Sequence, residues 1–182
     1  MSNLGEYIEK KYRVFFRYLD RNHDGVLHRS DLMKRVDTMS HMNVANQSES
    51  IYTRQCWLRW CDKVFPPKDG KKGVTEDDFV EKFRHFRSTG EIDEVNAASE
   101  GIYNVLFDRL DANRDGHLSR DELKAFYQAL GKADDTFIDR LFRKLDVNHD
   151  GLVSKSELVE AGVAFWTSED VNSGYEIMYE IN

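Results

Sequence analysis

Residues Asp111 to Glu122 read DANRDGHLSRDE, and the rest of the chain is read outward from them. Asp111, Asn113 and Asp115 stand at positions 1, 3 and 5 of a loop, with Gly116 at 6, Leu118 at 8 and Glu122 at 12. Side chains at 1, 3 and 5 converge when the backbone wraps around an ion. Gly116 takes the sharp turn at the least steric cost. The carbonyl of His117 faces inward at position 7, Ser119 at position 9 acts through a water, and Glu122 closes the site with two oxygens. A hard cation such as Ca²⁺, which takes six to eight oxygens at about 2.3–2.6 Å, is the ligand that such a set suits.

The pattern recurs in register. Asp146 to Glu157 reads DVNHDGLVSKSE, and Asp20 to Asp31 reads DRNHDGVLHRSD. A surface Asx-turn would match once by chance; three matches, each flanked by segments of helical apolar spacing, define EF-hand loops. The candidate metal ligands are therefore Asp20, Asn22, Asp24, Val26 (carbonyl) and Asp31 in loop 1; Asp111, Asn113, Asp115, His117 (carbonyl) and Glu122 in loop 3; and Asp146, Asn148, Asp150, Leu152 (carbonyl) and Glu157 in loop 4. Three Ca²⁺ sites are expected, with Mg²⁺ competing. Loop 1 is where Mg²⁺ should compete best: Asp31 is one methylene shorter than Glu and offers one oxygen, and six-coordination suits Mg²⁺ at ~2.1 Å. His28 at position 9 of loop 1 is a further departure.

The segments between the loops complete the pattern. Leu4, Ile8, Tyr12, Phe15, Phe16 and Leu19 predict a helix over 4–19 entering loop 1, and Leu32, Val36 and Met39 one leaving it. Residues 40–50 are polar and begin with a connector; Ile51, Trp57, Trp60, Cys61, Val64 and Phe65 then predict a helix stopped by Pro66-Pro67. PKDGKKGVTEDD follows where a second loop belongs. With Val74 at position 8, Pro67 falls at 1 and Lys71 at 5, so this hand cannot bind an ion and is kept for pairing. EF-hand loops pair through position 8, which predicts Leu27 beside Val74 and Leu118 beside Val153. Thr75–Asp78, Ser119–Glu122 and Ser154–Glu157 have the spacing of capped helix starts. Phe79, Val80, Phe83 and Phe86 line the next helix. Lys82, Arg84, His85 and Arg87 near its end read as a solvated face or as cations at a helix C-terminus.

Residues 88–94, STGEIDE, are the expected boundary between an N-terminal pair, 1–88, and a C-terminal pair, 89–182. Val95, Ala98, Ile102, Val105, Leu106 and Leu110 lead into loop 3, and Leu123, Phe126, Tyr127 and Leu130 lead out, with Gly131 as a helix C-cap. Phe137, Ile138, Leu141, Phe142 and Leu145 enter loop 4. Leu158, Val159, Val163 and Trp166 follow it. The tail carries Tyr175, Ile177, Met178, Tyr179 and Ile181, too apolar for a disordered acidic end. The expectation is an all-α chain of four EF-hands in two pairs, about eight helices at two per hand, in one compact globule with the C-terminal tail folded back.

Composition narrows the function. The net charge of −7 argues against nucleic acid or an acidic membrane as partner; three Ca²⁺ would bring it to about −1. The N-terminus has no apolar signal core, residue 2 is Ser rather than the Gly of a myristoylation site, and no run of ~18 apolar residues could span a membrane. Cys56 and Cys61 lie on one predicted helix with poor geometry for a disulfide, which points to reduced thiols and a cytoplasmic location. No catalytic triad order, zinc spacing or phosphate loop is present, so an enzyme is not expected.

Together, live loops 1, 3 and 4, a dead second hand followed by GVTEDDF, Asp31 closing loop 1 and an aromatic-apolar tail after Phe165-Trp166 resemble the invertebrate sarcoplasmic calcium-binding proteins over nearly the whole chain. That resemblance implies an eight-helix cytosolic monomer that buffers Ca²⁺ and Mg²⁺. The alternative is a sensor that opens a hydrophobic groove for a target protein, but the five Met are scattered rather than gathered in a groove signature. Photoproteins and luciferin-binding proteins share the fold, and photoproteins resemble this chain in having live loops 1, 3 and 4. Photoproteins place a His one helical turn before a Trp near the C-terminus, and here Gly162 stands four residues before Trp166. A small-ligand carrier or photoprotein-like role is therefore the lesser expectation.

Overall fold

The apolar spacing materialises as helices whose loaded faces meet in one core. The computed structural model describes residues 3–20, 22–41, 46–65, 73–129, 134–170 and 172–179. Among these, the chain runs α1 (Asn3–Leu19), β1 (Val26–Leu27), α2 (Arg29–His41), α3 (Gln47–Val64), β2 (Val74–Thr75), α4 (Glu76–Thr89), α5 (Ile92–Leu110), β3 (His117–Leu118), α6 (Arg120–Ala129), α7 (Asp135–Leu145), β4 (Val153–Ser154), α8 (Lys155–Thr167) and a 3₁₀ turn, Tyr175–Tyr179. The fold is the all-α EF-hand arrangement. Pro66, Pro67, the centre of loop 2, Leu130, Gly131 and Ile181 lie outside the described residues.

The short strands fall where position 8 placed them. β1 and β2 pair antiparallel with Leu27 opposite Val74, and β3 and β4 with Leu118 opposite Val153. The pairing of hand 1 with the second hand therefore persists beside a loop whose sequence lacks the first carboxylate. Thr75–Asp78 and Ser154–Glu157 form full capping boxes, so α4 and α8 start at fixed points relative to their strands.

The two pairs share a core built on aromatic rings. On α1, Tyr12, Phe15, Phe16 and Leu19 are buried at helical spacing, and α1 packs on α4. α5 packs on both α8 and α3. Trp166 of α8 sits at the centre: its ring lies 5.0 Å from that of Phe83, nearly parallel, and 4.9 Å edge-on from those of Phe15 and Phe165. Such ring pairs add about 0.5–1.5 kcal/mol each beyond their buried area.

The tail turns back over this cluster. Tyr179 places its ring 4.6 Å from Phe165 and 4.8 Å from Phe15, and its hydroxyl shares a hydrogen bond with that of Tyr103. The Tyr127 hydroxyl donates to the Met178 carbonyl at 3.0 Å. Polar contacts hold the outer end: the Tyr7 hydroxyl shares a 2.6 Å bond with Ser173 and donates to Glu176 at 3.2 Å. Arg87, read from sequence as part of a basic surface, instead donates to the Trp166 carbonyl at 3.0 Å and to Glu169 at 2.6 Å. Arg84 pairs with Glu9 and Glu81.

Two boundaries differ from the sequence reading. α3 starts at Gln47, because Asn46 caps it by accepting from the Glu49 amide at 3.1 Å. The buried face then runs through Thr53, Cys56, Trp57, Trp60, Cys61 and Val64, which turns Ile51 to solvent at 50 % exposure. α5 likewise starts three residues before Val95, two residues after Gly90, whose φ of 80° reverses the chain after α4. Cys56 and Cys61 are both free and buried, and burial pushes the Cys61 thiol up to about 12.

Lys11 is the one lysine among the described residues that is buried. Its ammonium donates to the Ser168 carbonyl at 2.6 Å and lies 5.1 Å from the centre of the Tyr7 ring. Burial pushes its pKa down to about 8, Arg87 adds in the same sense, and Glu176 and Glu169 oppose. The unfolded lysine titrates near 10.4. Between these values the unfolded chain holds a proton that the folded chain has released, so stability rises with pH. Below the folded value the cost of the buried charge is fully present. From pH 8 to 9 the Lys11 proton should contribute a gain of roughly 1 kcal/mol to the Ca²⁺-loaded chain, against an opposite contribution from the buried Cys61 thiol, and Lys11→Met should remove the Lys11 part of the slope. Thermal unfolding at the two pH values checks this; equal slopes in the two chains would rule it out.

Candidate metal centres

Each loop is fixed by a ladder in which its own carboxylates and amides hold the backbone. Asp111 at position 1 accepts from the Asp115 amide at 3.1 Å and the Gly116 amide at 2.9 Å. Asn113 accepts from Asp115 N at 2.9 Å, and Asp115 from His117 N at 2.9 Å. Loop 4 repeats this with Asp146 to the Asp150 and Gly151 amides, both at 3.1 Å, Asn148 to Asp150 and Asp150 to Leu152. In loop 1, Asp20 accepts from Gly25 at 3.0 Å and Asp24 from Val26 at 2.9 Å.

The glycines at position 6, Gly25, Gly116 and Gly151, have φ of 78°, 83° and 85°. Position 4 is also left-handed in all three loops: His23, Arg114 and His149 have φ of 56°, 60° and 60°. A non-Gly residue held there is uncommon, and its threefold recurrence marks one backbone shape used three times. The sequence reading assigned no role to position 4.

The closing residues separate loop 1 from the others. Glu122 accepts from the amides of Ala112 and Asn113 with one oxygen, and from the Ser119 amide at 2.9 Å and hydroxyl at 2.8 Å with the other. Glu157 does the same with Val147, Asn148 and Ser154. Each Glu thus ties the end of its loop back to the start. Burial would raise both carboxyls, but these hydrogen bonds outweigh it and hold both below the usual glutamate range. Asp31 accepts from His28 N at 3.1 Å and lies 3.6 Å from Lys34 Nζ. Among the described residues it reaches no amide at the start of its loop.

The donor sets fit a divalent cation. Asp20, Asp111 and Asp146 are buried carboxylates, and a buried carboxylate needs a counter-charge or full hydrogen bonding. Asp20 Oδ1 is buried with no hydrogen-bond partner among the described residues, so an ion in loop 1 would satisfy an acceptor that these residues leave over. Among the described residues no three His, Cys, Asp or Glu side chains form a ready cluster. The loop carboxylates accept instead from backbone amides of their own loops.

The comparisons agree with this geometry. The EF-hand domain pair family matches residues 99–161, which span loops 3 and 4. Residues 99–161 thus match an EF-hand domain pair, a calcium-binding module. Over 167 residues it is 22 % identical to a sarcoplasmic calcium-binding protein of Mizuhopecten yessoensis, covering 92 % of this chain and 93 % of that one. That is the resemblance which the three loops and the second hand, without its first carboxylate, led us to expect. Calcium-loaded apo-aequorin from Aequorea victoria shares the fold with a TM-score of 0.71 at 18 % identity, covering 91 % of this chain and 93 % of that one. Mg²⁺-loaded apo-berovin, a light-sensitive ctenophore photoprotein described as binding magnesium in all three Ca²⁺-binding loops, has a TM-score of 0.65 at 24 % identity and covers 91 % and 88 %. Among the described residues no helix is long and apolar enough to cross a membrane.

Proposed function

We propose that this chain is a monomeric cytosolic buffer of Ca²⁺ and Mg²⁺ with three ion sites, in two pairs of hands divided near residues 88–89. The ligands are Asp20, Asn22, Asp24, Val26 O and Asp31; Asp111, Asn113, Asp115, His117 O and Glu122; and Asp146, Asn148, Asp150, Leu152 O and Glu157. Mg²⁺ competes best in loop 1, where the short Asp31 favours six oxygens. The Mg²⁺-filled loops of the ctenophore relative support the competition but not the preference for loop 1.

The observation that carries the buffer over the sensor is the docked tail. A sensor opens a hydrophobic groove on binding, and here Ile177, Met178 and Tyr179 are buried over the aromatic cluster, stitched down by Tyr7, Lys11, Arg87, Tyr103 and Tyr127. Opening would break all of these contacts. In ~1 mM Mg²⁺, a resting-type level, the fluorescence of the hydrophobic dye ANS should stay low and flat through a Ca²⁺ titration. A steep rise would mean that a groove opens, and the sensor reading would replace this one.

A second reading, a carrier of a small apolar ligand, has one observation in its favour: a partly open cavity of about 40 Å³ among Phe15, Met39, Trp57, Trp60, Tyr103 and Tyr179. It has room for little more than water, which needs about 10–15 Å³. Gly162, where photoproteins have the histidine, also leaves no room for a side chain. A Cβ there would fall 2.4 Å from the Tyr103 ring, so Tyr103 itself fills the place.

A further inference from the structure

Loop 3 is bound to a helix of the opposite pair by a charge relay. Glu49, in the first turn of α3, accepts from Arg109 Nη1 at 2.8 Å and from both ends of the Arg114 guanidinium at 3.3 and 3.5 Å. Arg109 is buried at the end of α5, two residues before the position-1 ligand candidate Asp111. Arg114 occupies position 4 of loop 3, and its left-handed φ is part of the loop shape itself. Glu49 also donates its amide to Asn46, the cap that starts α3. One carboxylate thus joins the shape of loop 3 to the first turn of a helix in the N-terminal pair. His23 and His149, at position 4 of the other two loops, make no such bond among the described residues.

The charges give this relay a direction. Arg109 and Arg114 place two positive charges beside the mouth of loop 3, and both disfavour a divalent cation there. Glu49 cancels one of them and draws the Arg114 head toward α3. An ion in loop 3 fixes the backbone at Arg114, and a fixed Arg114 holds Glu49 and the start of α3. By linkage, whatever the ion adds to α3, α3 returns to the affinity of loop 3.

We propose that Glu49 is a coupling residue through which loop 3 and helix α3 stabilise each other, so that ion binding in the C-terminal pair tightens the N-terminal pair. The proposal rests on the reading that loop 3 holds an ion. Hydrogen exchange of the full chain, followed through a Ca²⁺ titration in peptides covering 46–65 and 111–122, tests it. In the natural chain, protection of 46–65 should rise with the same midpoint as that of 111–122. Glu49→Gln should shift the 111–122 midpoint roughly fivefold or more to higher Ca²⁺ and remove from 46–65 the part of its protection that rises with the 111–122 midpoint, leaving only what an ion in loop 1 adds. Arg114→Gln keeps the Arg109–Glu49 pair, so folding is preserved, and it removes a repelling charge. It should leave the 111–122 midpoint unchanged or lower, yet uncouple 46–65. If 46–65 in both variants follows Ca²⁺ as in the natural chain, the relay is overturned. If 111–122 of the natural chain ignores Ca²⁺ altogether, it is the ion-binding reading of loop 3 that fails.

Discussion

Removing the divalent ions with a chelator should cost the folded chain about 4 kcal/mol for each site that was held at a free ion level near 1,000 Kd. The structural reason lies in the loops. Asp20, Asp111 and Asp146 are buried, each among further acidic or amide oxygens, and Asp20 Oδ1 has no hydrogen-bond partner among the described residues. An ion supplies the missing counter-charge, and without it these oxygens repel one another. The loops also anchor the strand pairs β1–β2 and β3–β4 and the starts of α2, α6 and α8, so losing the ion loosens both ends of each hand. Thermal unfolding followed by circular dichroism should show a fall in Tm of roughly 2–4 °C per kcal/mol for a chain of this size. A change of only a degree or two between Ca²⁺ and chelator would contradict ion binding as a main source of stability.

Gly162→Ala should destabilise the chain by about 2 kcal/mol, although Ala is the better helix former by about 1 kcal/mol. An added Cβ would meet three atoms of the Tyr103 ring at 2.4–2.5 Å, which only movement of the ring or of α8 can relieve. The ring cannot swing freely: Tyr103 is buried and its hydroxyl is bonded to Tyr179 of the tail. Overpacking of this kind costs about 1–3 kcal/mol, and the upper end applies because the strain passes to the tail. Tyr103→Leu, which removes the obstructing edge, should shrink the cost of Gly162→Ala in the double variant. Equal costs with and without Tyr103 would mean that the contact is not the cause.

The loops and their pairing were legible from residues alone because both rest on local rules. Asp, Asn, Asp and Gly at fixed spacing prescribe a turn with oxygens inside, and one apolar residue at position 8 prescribes the strand register. Leu27 opposite Val74 followed even though the sequence of the second loop lacks the first carboxylate. Helix starts were legible where a capping box marked them, at Thr75 and Ser154, and illegible at Gln47, where the cap is a single Asn inside a polar run.

By itself the sequence determined the chemistry on offer: which oxygens sit on which loops, that the second loop lacks the first carboxylate, and that loop 1 ends in Asp31, a shorter arm than Glu122 and Glu157. Tertiary structure decided what depends on distance between segments far apart in the chain. It turned Arg87 from a surface cation into a clamp on the tail, placed Lys11 beneath Ser168, filled the space beside Gly162 with Tyr103, and set Glu49 between Arg109 and Arg114. A spacing rule reads neighbours along one helix or loop. These contacts join residues tens of positions apart, and only the packing of α1, α3, α5 and α8 around one aromatic core brings them together.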